Sequence, residues 1–181
     1  MLLGSRAGFG LEFHIERDPG LLCLDIFVGG LHVNSWDNAF YPPLLVKKLG
    51  DELRRYRTPA APPVGFGSPS EAFRVAEAVW RYGDAGTGDP TGAEFADCEI
   101  LEWGECTNDV LAFAFPDGDR VHLACRLLGH TAPAGSAVVS VSHASFVETL
   151  ERGFSVAERE WSIRLAAMNA RREAGDGGDT A

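Results

Sequence analysis

The stretch Phe9-Gly10-Leu11-Glu12-Phe13-His14-Ile15-Glu16 alternates apolar and polar side chains, the period of a half-buried strand. Asp18-Pro19-Gly20 follows as a turn signal, and Leu21 to Val28 reads as a second strand with Leu22, Leu24, Ile26 and Val28 sharing one face. Gly29-Gly30 supplies the positive φ that a two-residue hairpin turn demands, so Leu31 to Trp36 is expected to return as a third strand. These residues together predict an antiparallel meander whose register is pinned by the glycine pair.

Helical signals come next. Pro42-Pro43 suits a first helical turn, and Leu45, Leu49, Leu53 and Tyr56 recur at helical spacing to about Arg57. The Pro-rich connection Thr58 to Gly67 is followed by Ser68-Pro69-Ser70-Glu71, a capping-box start for a second helix expected to bury Phe73, Ala76 and Trp80. Residues Asp84 to Ala96 read as an exposed loop. Strands are expected over Cys98 to Glu105, Val110 to Phe115, Val121 to Leu128 and Ala137 to Ser142, with a hairpin turn at Pro116-Asp117-Gly118-Asp119. From the capping box Ser145-Phe146-Val147-Glu148, the apolar residues Phe146, Leu150, Phe154, Ala157, Trp161, Leu165 and Met168 form a helical stripe, with Gly153 its weak point. The fold class expected is α+β: an antiparallel sheet of about six to seven strands, with two shorter helices and one long C-terminal helix packed on one face. Residues 1–172 are read as a single domain and 173–181 as a disordered tail.

Charge is distributed unevenly. The chain has 181 residues and a formal net charge of -10. Ten carboxylates fall between Asp84 and Asp119 without one Lys or Arg: Asp84, Asp89, Glu94, Asp97, Glu99, Glu102, Glu105, Asp109, Asp117 and Asp119. The rest of the chain is balanced, so the whole excess lies in this run. Such a run disfavours nucleic acid and anionic membrane surfaces and favours a basic protein partner. An extended Cys98–Glu105 would place Glu99, Leu101, Trp103 and Glu105 on one face, an aromatic anchor among acids of the kind found in interfaces. The competing expectation is that Trp103 is core and the acids a solvated face. The candidate partner-binding residues are Asp89, Glu94, Asp97, Glu99, Glu102, Trp103, Glu105 and Asp109.

Catalytic and cofactor signatures are absent from the sequence. Gly8-Phe9-Gly10 and Gly65-Phe66-Gly67 lack the strand–glycine–helix context of a nucleotide loop, and no G-x-S-x-G elbow or H-E-x-x-H pair occurs. Cys23, Cys98, Cys106 and Cys125 show no C-x-x-C spacing and read as free buried thiols. No cofactor or metal is expected, since the acids lack the EF-hand pattern. No stretch reaches the length of a membrane span, and Met1 to Gly10 does not read as a signal peptide, so a cytoplasmic protein is expected.

Phe9-Gly10-Leu11-Glu12-Phe13, Leu24-Asp25-Ile26-Phe27-Val28-Gly29-Gly30 and the helix through Leu45, Leu49 and Leu53 resemble the opening of immunity proteins from bacterial polymorphic-toxin and contact-dependent inhibition systems, the immunity protein 42 group above all. The likeness spans the first 57 residues or so; the Pro-rich connection and the long last helix depart from it. It implies a non-enzymatic, cytoplasmic protein that binds and neutralises a cognate basic toxin, such as a nuclease, with its carboxylates standing in for substrate phosphates. The alternative is a small enzyme or ligand-binding domain in which His14, His32 or His122 supplies acid–base function. A third is an oligomeric role for the Phe146–Met168 stripe. Two converging histidines and a carboxylate in a deep pocket would favour the enzyme; a shallow acidic surface bearing Trp would favour the inhibitor.

Overall fold

The computed structural model describes residues 1–18, 20–82, 94–95, 97–129 and 135–176. Its fold is α+β, with two antiparallel sheets in place of the single sheet expected. The first contains β1 (Leu2–Gly4), β2 (Phe9–His14), β3 (Leu22–Val28), β4 (Leu31–His32) and β5 (Ala39–Phe40), in the order β1-β2-β3-β4 with β5 also on β3. Helices α1 (Pro42–Tyr56) and α2 (Pro69–Tyr82) follow. The second sheet runs β6-β7-β8-β9 through Glu99–Ile100, Val110–Asp117, Arg120–Leu127 and Ser136–Ser142. Helix α3 closes the described chain, His143–Asp176.

The glycine-pinned hairpin forms as its sequence demands. Gly29 and Gly30 have φ of 57° and 87°, and Val28 pairs with Leu31 across them. The third strand is far shorter than expected because a side chain replaces it. Asn34, fully buried, accepts the Ile26 N–H through Oδ1 at 2.9 Å and donates through Nδ2 to the Leu24 carbonyl at 2.8 Å. Those are ladder groups of β3 that a continued strand would have paired, so the chain can leave the sheet without orphaning them. Pairing resumes with β5, where Phe40 faces Leu22.

One core joins both sheets to α1 and α3. Leu11, Phe13, Leu24 and Ile26 of the first sheet meet Leu45 and Leu49, Phe146 and Leu150, and Ala112, Ala114 and Leu123 of the second. The opposite face of the second sheet is covered as well: Phe113, Phe115 and Ala124 pack on Ala72, Phe73 and Ala76 of α2. Helices therefore do not share one face. This is why Leu111 to Phe115 reads as a continuous apolar run; both of its faces are buried. Ser68 Oγ accepts the Glu71 N–H at 3.3 Å, so the expected N-terminal cap of α2 is present. Trp80, expected in the core, is 48% exposed, since α2 turns Ala72, Phe73, Ala76 and Val79 inward instead.

Helix α3 spans roughly 50 Å at 1.5 Å per residue. It begins earlier than Ser145: Ser142 Oγ accepts the Ser145 N–H at 3.2 Å. Phe146, Leu150 and Ala157 are fully buried, but Leu165 and Met168 are exposed, so the apolar stripe meets the core over its N-terminal half. Within the expected tail, residues 173–176 continue the helix and 177–181 lie outside the described residues. Gly153 is a point of close approach. A Cβ there would stand 2.7 Å from Leu11 Cδ1, so the glycine lets α3 lie down on β2. Gly153→Val is expected to cost about 2 kcal/mol by overpacking and to lower the thermal midpoint by several degrees. A stabilised Gly153→Val in a melting experiment would show that the contact is loose.

Candidate functional site

Seven of the eight proposed partner-binding residues are described. Asp89 lies outside the described residues, as does Asp84. The expected strand Cys98–Glu105 shrinks to Glu99–Ile100, because Leu101 takes φ 64° and the chain turns inward. Trp103 is only 1% exposed and belongs to the core rather than to a docking face. Its indole Nε1–H donates to Glu52 Oε1 at 2.8 Å, and the same oxygen accepts the Leu101 N–H at 2.8 Å. A carboxylate from α1, forty-nine residues away from Leu101, thus pulls this segment out of the sheet.

The remaining carboxylates divide by position. Asp97, Glu99 and Glu102 gather beside α1, which supplies bases the sequence run lacks: Arg55 donates to the Asp97 carbonyl at 2.9 Å, and Lys48 lies 3.9 Å from Glu102. Burial raises the Glu99 carboxyl above its ordinary value, the nearby Glu102 adds to this, and Arg55 opposes it. Glu94 accepts the Val64 N–H at 3.0 Å. The Asp109 carbonyl accepts the Leu128 N–H at 2.9 Å. Asp117 and Asp119 sit at the far end of the β7–β8 hairpin, roughly 25 Å from Asp109 at the rise of an extended strand. Asp117 is engaged there by His122 Nε2 at 3.2 Å.

Glu105, exposed on a single 3₁₀ turn (Glu105–Thr107), stands at the edge of a cavity of about 420 Å³. Asp37, Tyr41, Leu44, Trp103 and Cys106 also line it, and among the described residues no Lys or Arg does. Two carboxylates over an apolar, aromatic wall suit one basic side chain. Thiol chemistry is disfavoured in this cavity. Burial pushes the Cys106 thiol up to about 12, with Asp37 adding to the effect, so the nucleophilic thiolate is scarce at neutral pH. All four cysteines are free and buried, as expected from their spacing.

Two of the three histidines named as acid–base candidates, His14 and His32, meet one carboxylate, Asp25. Glu12 and Asp25 are direct partners across β2 and β3, and His14 follows two residues along the same outward face. His14 Nε2 lies 2.9 Å from Asp25 Oδ2, and His32 Nε2 lies 3.3 Å from Asp25 Oδ1. Asn38 donates to Asp25 Oδ1 at 2.6 Å. Burial alone would raise the Asp25 carboxyl; the hydrogen bonds from Asn38 and His14, with His32 nearby, outweigh it and hold it below its ordinary value. Two histidines and a carboxylate do converge, therefore, but on the partly open outer face of a sheet. The alternation of Glu12 and His14, combined with the register of the glycine hairpin that sets His32 beside Phe27, was the signal available for finding them.

No family model and no curated protein matches this chain. Among described residues, no helix is long and apolar enough to cross a membrane. Among solved structures, the chain is similar to that of CdiI from Burkholderia dolosa AUO158, with a TM-score of 0.56 and 18% identity over 86% of this chain and 99% of that one, a likeness that establishes a shared fold.

Proposed function

We propose that this chain is a non-enzymatic immunity protein that binds and neutralises a cognate toxin in the cytoplasm. The observation carrying this reading is that it shares its fold with nearly the whole length of a CdiI chain. CdiI proteins are immunity proteins of contact-dependent inhibition. The opening of the sequence resembles the same group.

The proposed docking face is the acidic edge beside α1: Glu94, Asp97, Glu99, Glu102 and Glu105, with Asp109 and, from outside the described residues, Asp89 as further partner-binding residues. Trp103 supports this face from beneath, where its ring forms a wall of the acid-lined cavity. An arginine or lysine of a basic toxin, such as a nuclease, would enter there between Asp37 and Glu105. Charge complementarity of this kind acts chiefly on the association rate. Replacing Glu99, Glu102 and Glu105 together by Lys is expected to slow association with the toxin encoded beside this gene by about tenfold or more at low salt. Stopped-flow capture measured at two ionic strengths checks it, and the gap must narrow as salt rises. An unchanged rate removes the acidic face; failure of the wild-type chain to protect cells expressing that toxin removes the immunity reading itself.

A further inference from the structure

We propose that the outward face of the first sheet carries a transition-metal site, suited to Zn²⁺, formed by Glu12, His14 and Asp25, with the adjacent His32 swinging in as a fourth ligand. One ligand atom from each of Glu12, His14 and Asp25 lies within 4.8 Å of the other two. Ligand atoms on a tetrahedral zinc with bonds of about 2.0–2.1 Å stand about 3.3 Å apart. His32 Nε2 stands 3.3 Å from Asp25 Oδ1, at that spacing, while His14 Nε2 stands 2.9 Å from the other oxygen, Oδ2, a hydrogen-bond distance that an ion would widen by a few tenths of an ångström. Imidazole and carboxylate together select zinc-like ions over calcium or magnesium, which prefer oxygen alone.

Two further features point to an ion. Glu12 and Asp25 are direct cross-strand partners, where like charges repel, so the pair is stabilised by a cation between them. His32 Nε2 is shielded from water yet makes no hydrogen bond, although it faces the Asp25 carboxylate. A ring nitrogen left uncommitted in that way can give up its proton and bind a metal. Supporting contacts orient the ligands: the Phe27 ring lies against the His32 ring at 4.8 Å, and Asn38 holds Asp25 Oδ1 at 2.6 Å. Arg6 pairs with Glu12 and lies over the Phe27 ring at 4.9 Å, so it competes with the ion; its side chain is 60% exposed and must swing away for Glu12 to ligate.

Titrating zinc chloride into the purified, EDTA-stripped chain by calorimetry tests this. One ion per chain is expected, with thermal stabilisation on binding. His14→Ala should abolish the titration, and His32→Ala should weaken binding about tenfold. Arg6→Ala should tighten binding, since it frees Glu12; a purely structural histidine cluster would not produce that gain. Cobalt substitution adds a visible absorption band of tetrahedral type that is lost in His14→Ala. Both His32→Ala and Arg6→Ala alter partly exposed side chains, so they remain informative if His14→Ala fails to fold. No binding by the wild type, or equal binding by His14→Ala and His32→Ala, overturns the site. Toxin neutralisation is measured separately and does not enter the result.

Discussion

Trp103→Ala is expected to destabilise the protein by about 3–5 kcal/mol, the range for removing a large aromatic from a packed core. Three losses combine. The ring is 1% exposed and touches Phe40 edge-on, with centroids 6.5 Å apart. Its removal opens a void beside the existing 420 Å³ cavity. The indole N–H also leaves Glu52 Oε1, which then keeps only the Leu101 amide in a buried setting. Trp103→Phe separates these effects, since it keeps most of the ring and drops the donor. It should cost about 1–3 kcal/mol, the range for one buried acceptor left short. Urea denaturation of both variants reads the difference. If Trp103→Ala unfolds within about 1 kcal/mol of wild type, the tryptophan is not a core residue, and its first assignment to a docking face regains its force.

Trp103 also shows where local sequence stops being informative. Alternation over Cys98 to Glu105 matched a strand, and nothing within those residues signals otherwise. The departure comes from Glu52 on α1, which captures two donors of the segment from outside it. Asn34 is the same kind of event, a side chain taking ladder positions that a longer strand would have held. By contrast, the Gly29-Gly30 hairpin, the Ser68 cap and the leucine spacing of α1 are short-range devices, and each was legible. The count of sheets was not, because a strand buried on both faces loses the alternation that reveals which layer it joins. The surroundings of the acidic run were hidden for a related reason. Its isolation from Lys and Arg is a fact of sequence order, whereas Lys48 and Arg55 reach Glu102 and the Asp97 carbonyl, on either side of β6, only through the folding of α1. The ligand cluster at Asp25 needed the β2–β3 register, which the loop between those strands does not encode in any simple turn.

Glu52→Gln is expected to flatten the dependence of stability on pH between about 4.5 and 7. Burial raises the Glu52 carboxyl to about 7 from an ordinary 4.5; the bonds from Leu101 and Trp103, with Arg55 and Lys48 nearby, lower it without cancelling that cost. In this window the folded chain keeps a proton that the unfolded chain releases. Its contribution is thus complete below pH 4.5 and is lost as pH rises through about 7, the reverse of a salt-bridged carboxylate. At about 1.4 kcal/mol per unit, the loss is on the order of 3 kcal/mol. A glutamine offers the same carbonyl oxygen to the Leu101 and Trp103 donors and never ionises. Glu52 Oε2 has no hydrogen-bond partner, so the amide nitrogen replaces an atom that was already unsatisfied. The variant should therefore equal wild type near pH 4.5 and exceed it at pH 8 by several degrees in thermal midpoint. Other groups titrate over the same range, and the difference between the two proteins cancels them. Parallel profiles for wild type and Glu52→Gln from pH 5 to 8 would mean that water reaches this carboxylate, and that α1 holds the Leu101–Trp103 segment without a buried charge.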